Sequence, residues 1–167
     1  MNFRYLFLIL LGLVLLAAAA DLAWFYPRLP EQIATHFNGH GVADGWSSKA
    51  GFAVGQGCLL VGLSALFAGL AWLLPRTPVS LINLPHRDYW LAPARRAATL
   101  ETASNFLLVM AVVIATFLTG LMHLLLAANL APPARLGSAF GALMAAQLGA
   151  VLSLVIGLVW RFRRPKA

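Results

Sequence analysis

The sequence predicts an all-α membrane protein: a single domain over residues 1–167, with four transmembrane helices, both termini cytoplasmic, one structured outer loop and one amphipathic inner loop. Three observations predict it. Apolar residues make up 61% of the chain and charged residues only 10%, against about 25% charged in a soluble domain. Mean hydropathy is +0.83, so the solvent for most of the surface is lipid. Four apolar stretches each reach the roughly 20 residues that a helix needs to cross a bilayer. Lys and Arg also collect in alternate connections, which fixes orientation.

The first stretch runs from Tyr5 to Tyr26. Arg4, an apolar run and then Ala17 to Ala20 imitate a secretory signal with a small-residue cleavage site. The apolar character continues through Leu22, Ala23, Trp24 and Phe25, so the expectation is an uncleaved spanning helix. The second stretch, Phe52 to Leu74, carries Gly55, Gly62 and Gly69 at sevens with Cys58 and Ala65 between, which reads as a left-handed helix seam. The third runs from Asn105 to Leu130. The fourth, Gly137 to Trp160, carries Gly137, Gly141, Ala145, Gly149, Ser153 and Gly157 at fours. Small residues on one face let another helix backbone approach closely, which drives association in lipid. Internal packing is the expected use of that face. A homo-oligomer or a protein partner bound through the fourth helix is the other.

Arg4, Arg76, Arg87, Arg95, Arg96, Arg161, Arg163, Arg164 and Lys166 fall at the two termini and in the second loop; only Arg28, Lys49 and Arg135 fall in the first and third loops. That distribution puts the termini and the second loop in the cytoplasm. The net charge of +7 is accounted for by these membrane-flanking residues, and no basic stripe suggests nucleic acid. Trp24, Tyr26, Trp46, Trp72, Trp90 and Trp160 sit near helix ends, where aromatic residues anchor a span. The lone Cys58 forms no internal disulfide or metal cluster.

Polar groups inside a bilayer each need an explanation. Asp21, Gln56 and His123 share a depth near the outer ends of three helices, with Thr116 and Thr119 on the face of His123. Gln147 lies near the middle of the fourth helix. Interhelical hydrogen bonding accounts for them; a proton-responsive or ligand site is the functional alternative. A bis-histidine haem would need a second histidine at the depth of His123, and His36, His40 and His86 lie in loops.

The outer loop offers a short extended segment, Ile33 to Asn38, then turn formers at Asn38-Gly39, Gly41 and Asp44-Gly45. Ser47 or Ser48 can cap the next helix. His36, His40 and Asp44 recur at fours, a zinc spacing on a helix, but Gly39, Gly41 and Gly45 oppose a helix there, so neither metal nor cofactor is expected. His36 with Asp44 could act in acid–base chemistry, yet no nucleophile accompanies them and no catalytic set is assembled. The inner loop contains Asn83, Pro85, Asp88, Tyr89, Trp90, Arg95 and Arg96. Its aromatic residues suit an interface, its arginines suit anionic headgroups, and Pro93 suits a helix start, so it reads as an amphipathic helix at the inner leaflet.

Leu29-Pro30, His36-Phe37-Asn38, Gly41, Asp44 and Ser48-Lys49 stand in that order ahead of the second helix. This pattern resembles the signature of the DUF1648 family of bacterial membrane proteins. Asn83-Leu84-Pro85 and Asp88-Tyr89-Trp90-Leu91 also resemble the family, and together the two loops and their helices cover roughly half the chain. The resemblance implies little chemistry. The better-understood relatives of the family are immunity proteins similar to the SdpI group, which protect cells from a secreted toxin and signal through a bound repressor. Those are longer and carry a second region with an Arg-Thr pair; Arg76-Thr77 lacks its surroundings, and His40 lies outside the pattern. Three functions follow as expectations: a receptor or immunity-like module with an outer ligand and an inner partner, an accessory subunit of a larger membrane complex, and a small membrane enzyme or transporter resting on Asp21, His123, His36 and Asp44.

Overall fold

The structure, a computed structural model, describes residues 3–163. The tail cations Arg164 and Lys166, part of the charge distribution above, lie outside the described residues. Four helices are long and apolar enough to cross a membrane. They are α1 (Phe3–Phe25), α2 (Lys49–Leu73), α4 (Pro93–Ala128) and α5 (Ser138–Phe162). The chain is not all-α. Between α1 and α2 stands an antiparallel hairpin of β1 (Gln32–Phe37) and β2 (Ala43–Ser48). The extended segment expected from Ile33 is β1. Asp44-Gly45, expected as a turn, lies inside β2, where an irregular register accommodates it. The reason is steric. A Cβ at Gly45 would stand 2.9 Å from the His36 Cβ across the ladder, so glycine here permits close strand pairing.

α4 is the central helix: α1, α2 and α5 each pack along it, and α1 touches α2 only sparsely. On α1 the buried positions are Leu11, Ala18 and Phe25, with Val14, Leu15 and Leu22 filling between them. On α4 they are Thr99, Leu100, Ser104, Leu108, Ala111, Ala115, Met122, Leu125 and Leu126. Leu11, Ala18 and Phe25 recur at sevens, and Ser104, Leu108, Ala111, Ala115, Met122 and Leu125 at threes, fours and one seven, the spacing of a left-handed seam; Ala111 and Ala115 let the helices close together. The seam expected on α2 is different. Gly55, Gly62 and Gly69 meet nothing, and α2 instead buries Phe52, Leu60, Ser64 and Ala71. Phe52 and Leu60 supply dispersion contact that glycine cannot, while Ser64 and Ala71 are the small residues buried on this face.

The small-residue face of α5 also fails to pack internally. Gly137, Gly141, Ala145, Gly149 and Ser153 are exposed, and only Gly157 approaches a neighbour, Phe106 on α4. A spacing of four drifts about 40° per step around a helix of 3.6 residues per turn. The stripe therefore winds away from α4, and a different set, including Leu143, Gln147, Leu154 and Phe162, faces it more closely.

α4 begins at Pro93, twelve positions before the stretch expected from Asn105. At 1.5 Å per residue its 36 residues span about 54 Å, well beyond a hydrocarbon core of about 30 Å. Its first turns therefore stand outside the apolar layer, where Arg95, Arg96 and Glu101 are at home. The inner loop is not an amphipathic helix lying on a leaflet. It is a run of short 3-10 turns and one turn of α-helix, α3 (Arg87–Trp90), leading straight into α4. Pro78, Pro85 and Pro93 interrupt any longer helix.

A repeat at the ends of α1 and α2 went unread in the sequence. Trp24-Phe25-Tyr26-Pro27-Arg28 and Trp72-Leu73-Leu74-Pro75-Arg76 share the pattern Trp-x-x-Pro-Arg. Each ends its helix in a 3-10 turn, Tyr26–Arg28 and Leu74–Arg76. Each arginine folds over its tryptophan, 4.2 Å and 4.0 Å from the ring centroid, and donates to the carbonyl of that same tryptophan. The guanidinium thus satisfies a helix-terminal carbonyl while the ring marks an interface. The two clamps sit at opposite faces of the bundle, one on the hairpin face and one on the face bearing the chain termini.

Candidate functional site

The hairpin is built by the outer-loop motif, nearly residue by residue. Ser48 caps α2 by accepting a hydrogen bond from the Gly51 amide at 3.0 Å. Lys49 closes the hairpin base: its amide donates to the Glu31 carbonyl, and its Nζ pairs with Glu31 at 2.9 Å and lies 5.2 Å from the Tyr26 ring centroid. Asn38 holds the tip. Its Oδ1 accepts from the amides of His40 and Val42, and its carbonyl accepts from Gly41. Gly41 has a φ of 71°. A Cβ there would stand 2.6 Å from the Leu136 carbonyl oxygen, so glycine is required twice over. The Leu136 amide donates to the Gly41 carbonyl, tying the hairpin tip to the α4–α5 connection. Phe37 packs against the helical core, and Pro30 is exposed at the loop start.

The decisive anchor is Asn129, at the end of α4 and 8% exposed. Its Oδ1 accepts from the Ala34 amide at 2.7 Å, and its Nδ2 donates to the Ala34 carbonyl at 2.9 Å and to the Leu125 carbonyl at 2.8 Å. The side-chain amide thus pairs with β1 as a neighbouring strand would, in a place where Ile33 and Ala34 are 1% exposed. Sequence reasoning missed it, since its partner lies 95 residues away. The available signal was a carboxamide closing a span just before Pro132-Pro133.

With those roles assigned, His36 and Asp44 remain. Both are exposed, and His36 Nδ1 lies 2.5 Å from Asp44 Oδ1 in a hydrogen bond. Beside them opens a crevice of about 610 Å³. Its roof is the hairpin from Thr35 to Gly41; its walls include Gln56 on α2, Leu121 and Leu125 on α4, and Ser138 and Phe140 on α5. Ligand pockets of roughly 300–1,000 Å³ combine apolar walls with a few polar groups, and this one matches that pattern.

The intramembrane polar residues separate into three places. Asp21 and His123 meet, Oδ1 to Nδ1, at 2.9 Å, and the Phe25 ring stands edge-on to His123. The second oxygen of Asp21 is buried with no hydrogen-bond partner. Gln56, expected beside them, lines the crevice instead, and Gln147 is half-buried on α5. Thr119 turns its hydroxyl back to the Ala115 carbonyl within its own helix. Among the described residues no group of three or more His, Cys, Asp or Glu side chains is placed to hold a metal ion.

On the opposite face, the inner-loop residues form a clasp. Trp90 Nε1 donates to the Phe162 carbonyl at 3.0 Å, and its ring meets Phe162 and the Arg161 guanidinium. Thr99 donates to the Trp90 carbonyl, and Arg95 lies 4.0 Å from the Tyr89 ring centroid. Asn83, Pro85 and Asp88 are exposed and bear little of this structure. The clasp joins the end of α5 to the start of α4.

Residues 12–56 match the family model of a domain of unknown function. That segment is similar to DUF1648. The matched DUF1648 segment runs from mid-α1 through the hairpin and ends at Gln56, on the crevice wall; the likeness read in the inner loop lies outside it. No curated protein and no solved structure matches the chain.

Proposed function

We propose that this protein is a receptor-like membrane module, with the crevice under the hairpin as its ligand site. The observation that carries the reading is the crevice itself. The DUF1648 hairpin is spent on roofing and anchoring it, and leaves His36, hydrogen-bonded to Asp44 outside the lining, with His40, Gln56 and Ser138 as polar groups around an apolar floor. A peptide or small molecule with an apolar body and hydrogen-bonding groups suits such a lining. The occupant reaches it from the hairpin face. In the setting we favour, a bacterial inner membrane with the termini cytoplasmic, that occupant is secreted, and α4 links the crevice to the Trp90 clasp. Immunity to a toxic peptide, or signalling of its presence, is the physiological form this takes.

Gly137 supplies the test. It stands on the crevice wall, and a Cβ there meets nothing within 4 Å, so Gly137→Phe adds bulk at the crevice from a position with room for its first atom. Protein purified from its host in mild detergent should carry a ligand by mass spectrometry, and Gly137→Phe should lose it while keeping its thermal unfolding temperature. Equal retention in both would overturn the assignment of the site.

A second reading rests on a separate observation. The small-residue faces of α2 and α5 point outward, and on α5 Phe162 alone among the described residues is buried. Two such faces on one small bundle suit a protein partner or a second copy in lipid.

A further inference from the structure

We propose that a second cavity, on the face bearing the termini, binds the headgroup of an aminophospholipid. The cavity measures about 560 Å³ and lies between the start of α1, the end of α2 and the first turns of α4. Arg4, Arg96, Glu101 and Ser104 supply its polar lining; Pro75, Pro93 and Leu100 are among its apolar walls.

Ser104 is the observation that points to a ligand. It is 0% exposed, and its hydroxyl has no hydrogen-bond partner. Three other hydroxyls on α4 and α5 turn back to the carbonyl four residues earlier, Thr102 to Ala98, Thr119 to Ala115 and Ser153 to Gly149, and Thr99 donates to the Trp90 carbonyl. Ser104 does neither. A buried hydroxyl without a partner is costly unless another acceptor completes it. Lining the same cavity as the Arg96 guanidinium, it is suited to donate to a phosphate oxygen. Arg96 is partly buried and uses one N–H on the Thr77 carbonyl at 3.4 Å, which steadies the side chain and leaves its remaining donors for an anion.

Glu101 decides the headgroup. A carboxylate in the same cavity disfavours a purely anionic ligand and favours one carrying a cationic hydrogen-bond donor beside its phosphate. An ethanolamine headgroup has that arrangement, phosphate toward Arg96 and Ser104, ammonium toward Glu101. The source is the surrounding leaflet. Arg4 begins a span and α4 leaves the apolar layer near Glu101, so the cavity lies at headgroup depth.

The test is lipid retention by the full chain, read by native mass spectrometry after exchange into detergent containing equal amounts of phosphatidylethanolamine, phosphatidylcholine and phosphatidylglycerol. The wild type should retain phosphatidylethanolamine at least fivefold over phosphatidylcholine, which has no ammonium N–H, and over phosphatidylglycerol, which has no ammonium. Glu101→Gln should erase that preference. The double variant Arg96→Gln, Ser104→Ala should lose retention of all three, while Ser104→Ala alone should leave the unfolding temperature in lipid-free detergent undiminished, since it removes an unpartnered polar group. Equal retention of the three lipids by the wild type, or an unchanged preference in Glu101→Gln, would overturn the proposal. Displacement of the lipid by soluble phosphoethanolamine at equal concentration would overturn the lipid source and assign the cavity to a free phosphoamine.

Discussion

Asn129 shows how much one side chain can carry when it pairs with backbone. It completes both polar groups of Ala34 in a nearly dry place and returns a third hydrogen bond to its own helix. Removing it leaves a buried N–H and a buried C=O unpaired, at about 1–3 kcal/mol each. Asn129→Ala should therefore lower stability by roughly 2–4 kcal/mol and free the hairpin first. Limited proteolysis between Gln32 and Ser48 checks this: cleavage should appear in the variant under conditions where the wild type is intact. Resistance equal to wild type would mean that the hairpin is held by its apolar contacts alone. Most motif residues were legible as a pattern, but their roles were not. Asn38, Gly41, Ser48 and Lys49 read equally well as ligand contacts or as framework, and only the three-dimensional partners separate the two. Asp21 with His123 was legible from shared depth, because two helices running parallel keep their polar residues level.

At the scale of elements, hydropathy located every span but misjudged their ends. A bilayer-length template cut α4 at Asn105, where the apolar run begins, although nothing between Pro93 and Asn105 breaks a helix. The hairpin was half visible. Ile33 to Phe37 has strand character, but the glycines of the return strand resemble turn residues, and their need arises from the opposite strand. The α5 stripe was legible as a face and misread as to partner, because its spacing of four leaves the α4 interface after one contact. That geometry gives a prediction. Gly149→Leu adds bulk in open space and should change the stability of the lone chain by no more than about 0.5 kcal/mol. In a Cys58→Ser background, Ser153→Cys should form an oxidative cross-link in the membrane, and Gly149→Leu should reduce it severalfold. No cross-link at Ser153 under oxidation would remove α5 as an association face.

At the scale of the molecule, α4 ties the hairpin at one face to the Trp90 clasp at the other. Asn129 at one end holds the hairpin and the crevice roof; Thr99 at the other holds Trp90 and, through it, the end of α5. The two Trp-x-x-Pro-Arg clamps lie at the two faces and frame the apolar layer between them. That repeat was readable in the sequence, since tryptophan four residues before arginine across a helix-ending proline has a direct physical meaning. The crevice was not readable, because it arises where four segments distant in sequence converge. Its existence makes the receptor reading a statement about one place. A photo-reactive residue at Ser138, on the crevice wall, tests that statement directly when irradiated in the native membrane, with Leu66 on the outward surface of α2 as control. The account predicts a discrete cross-linked product at Ser138 that Gly137→Phe abolishes and that is absent at Leu66. Lipid adducts alone at both positions, unchanged by Gly137→Phe, would contradict it.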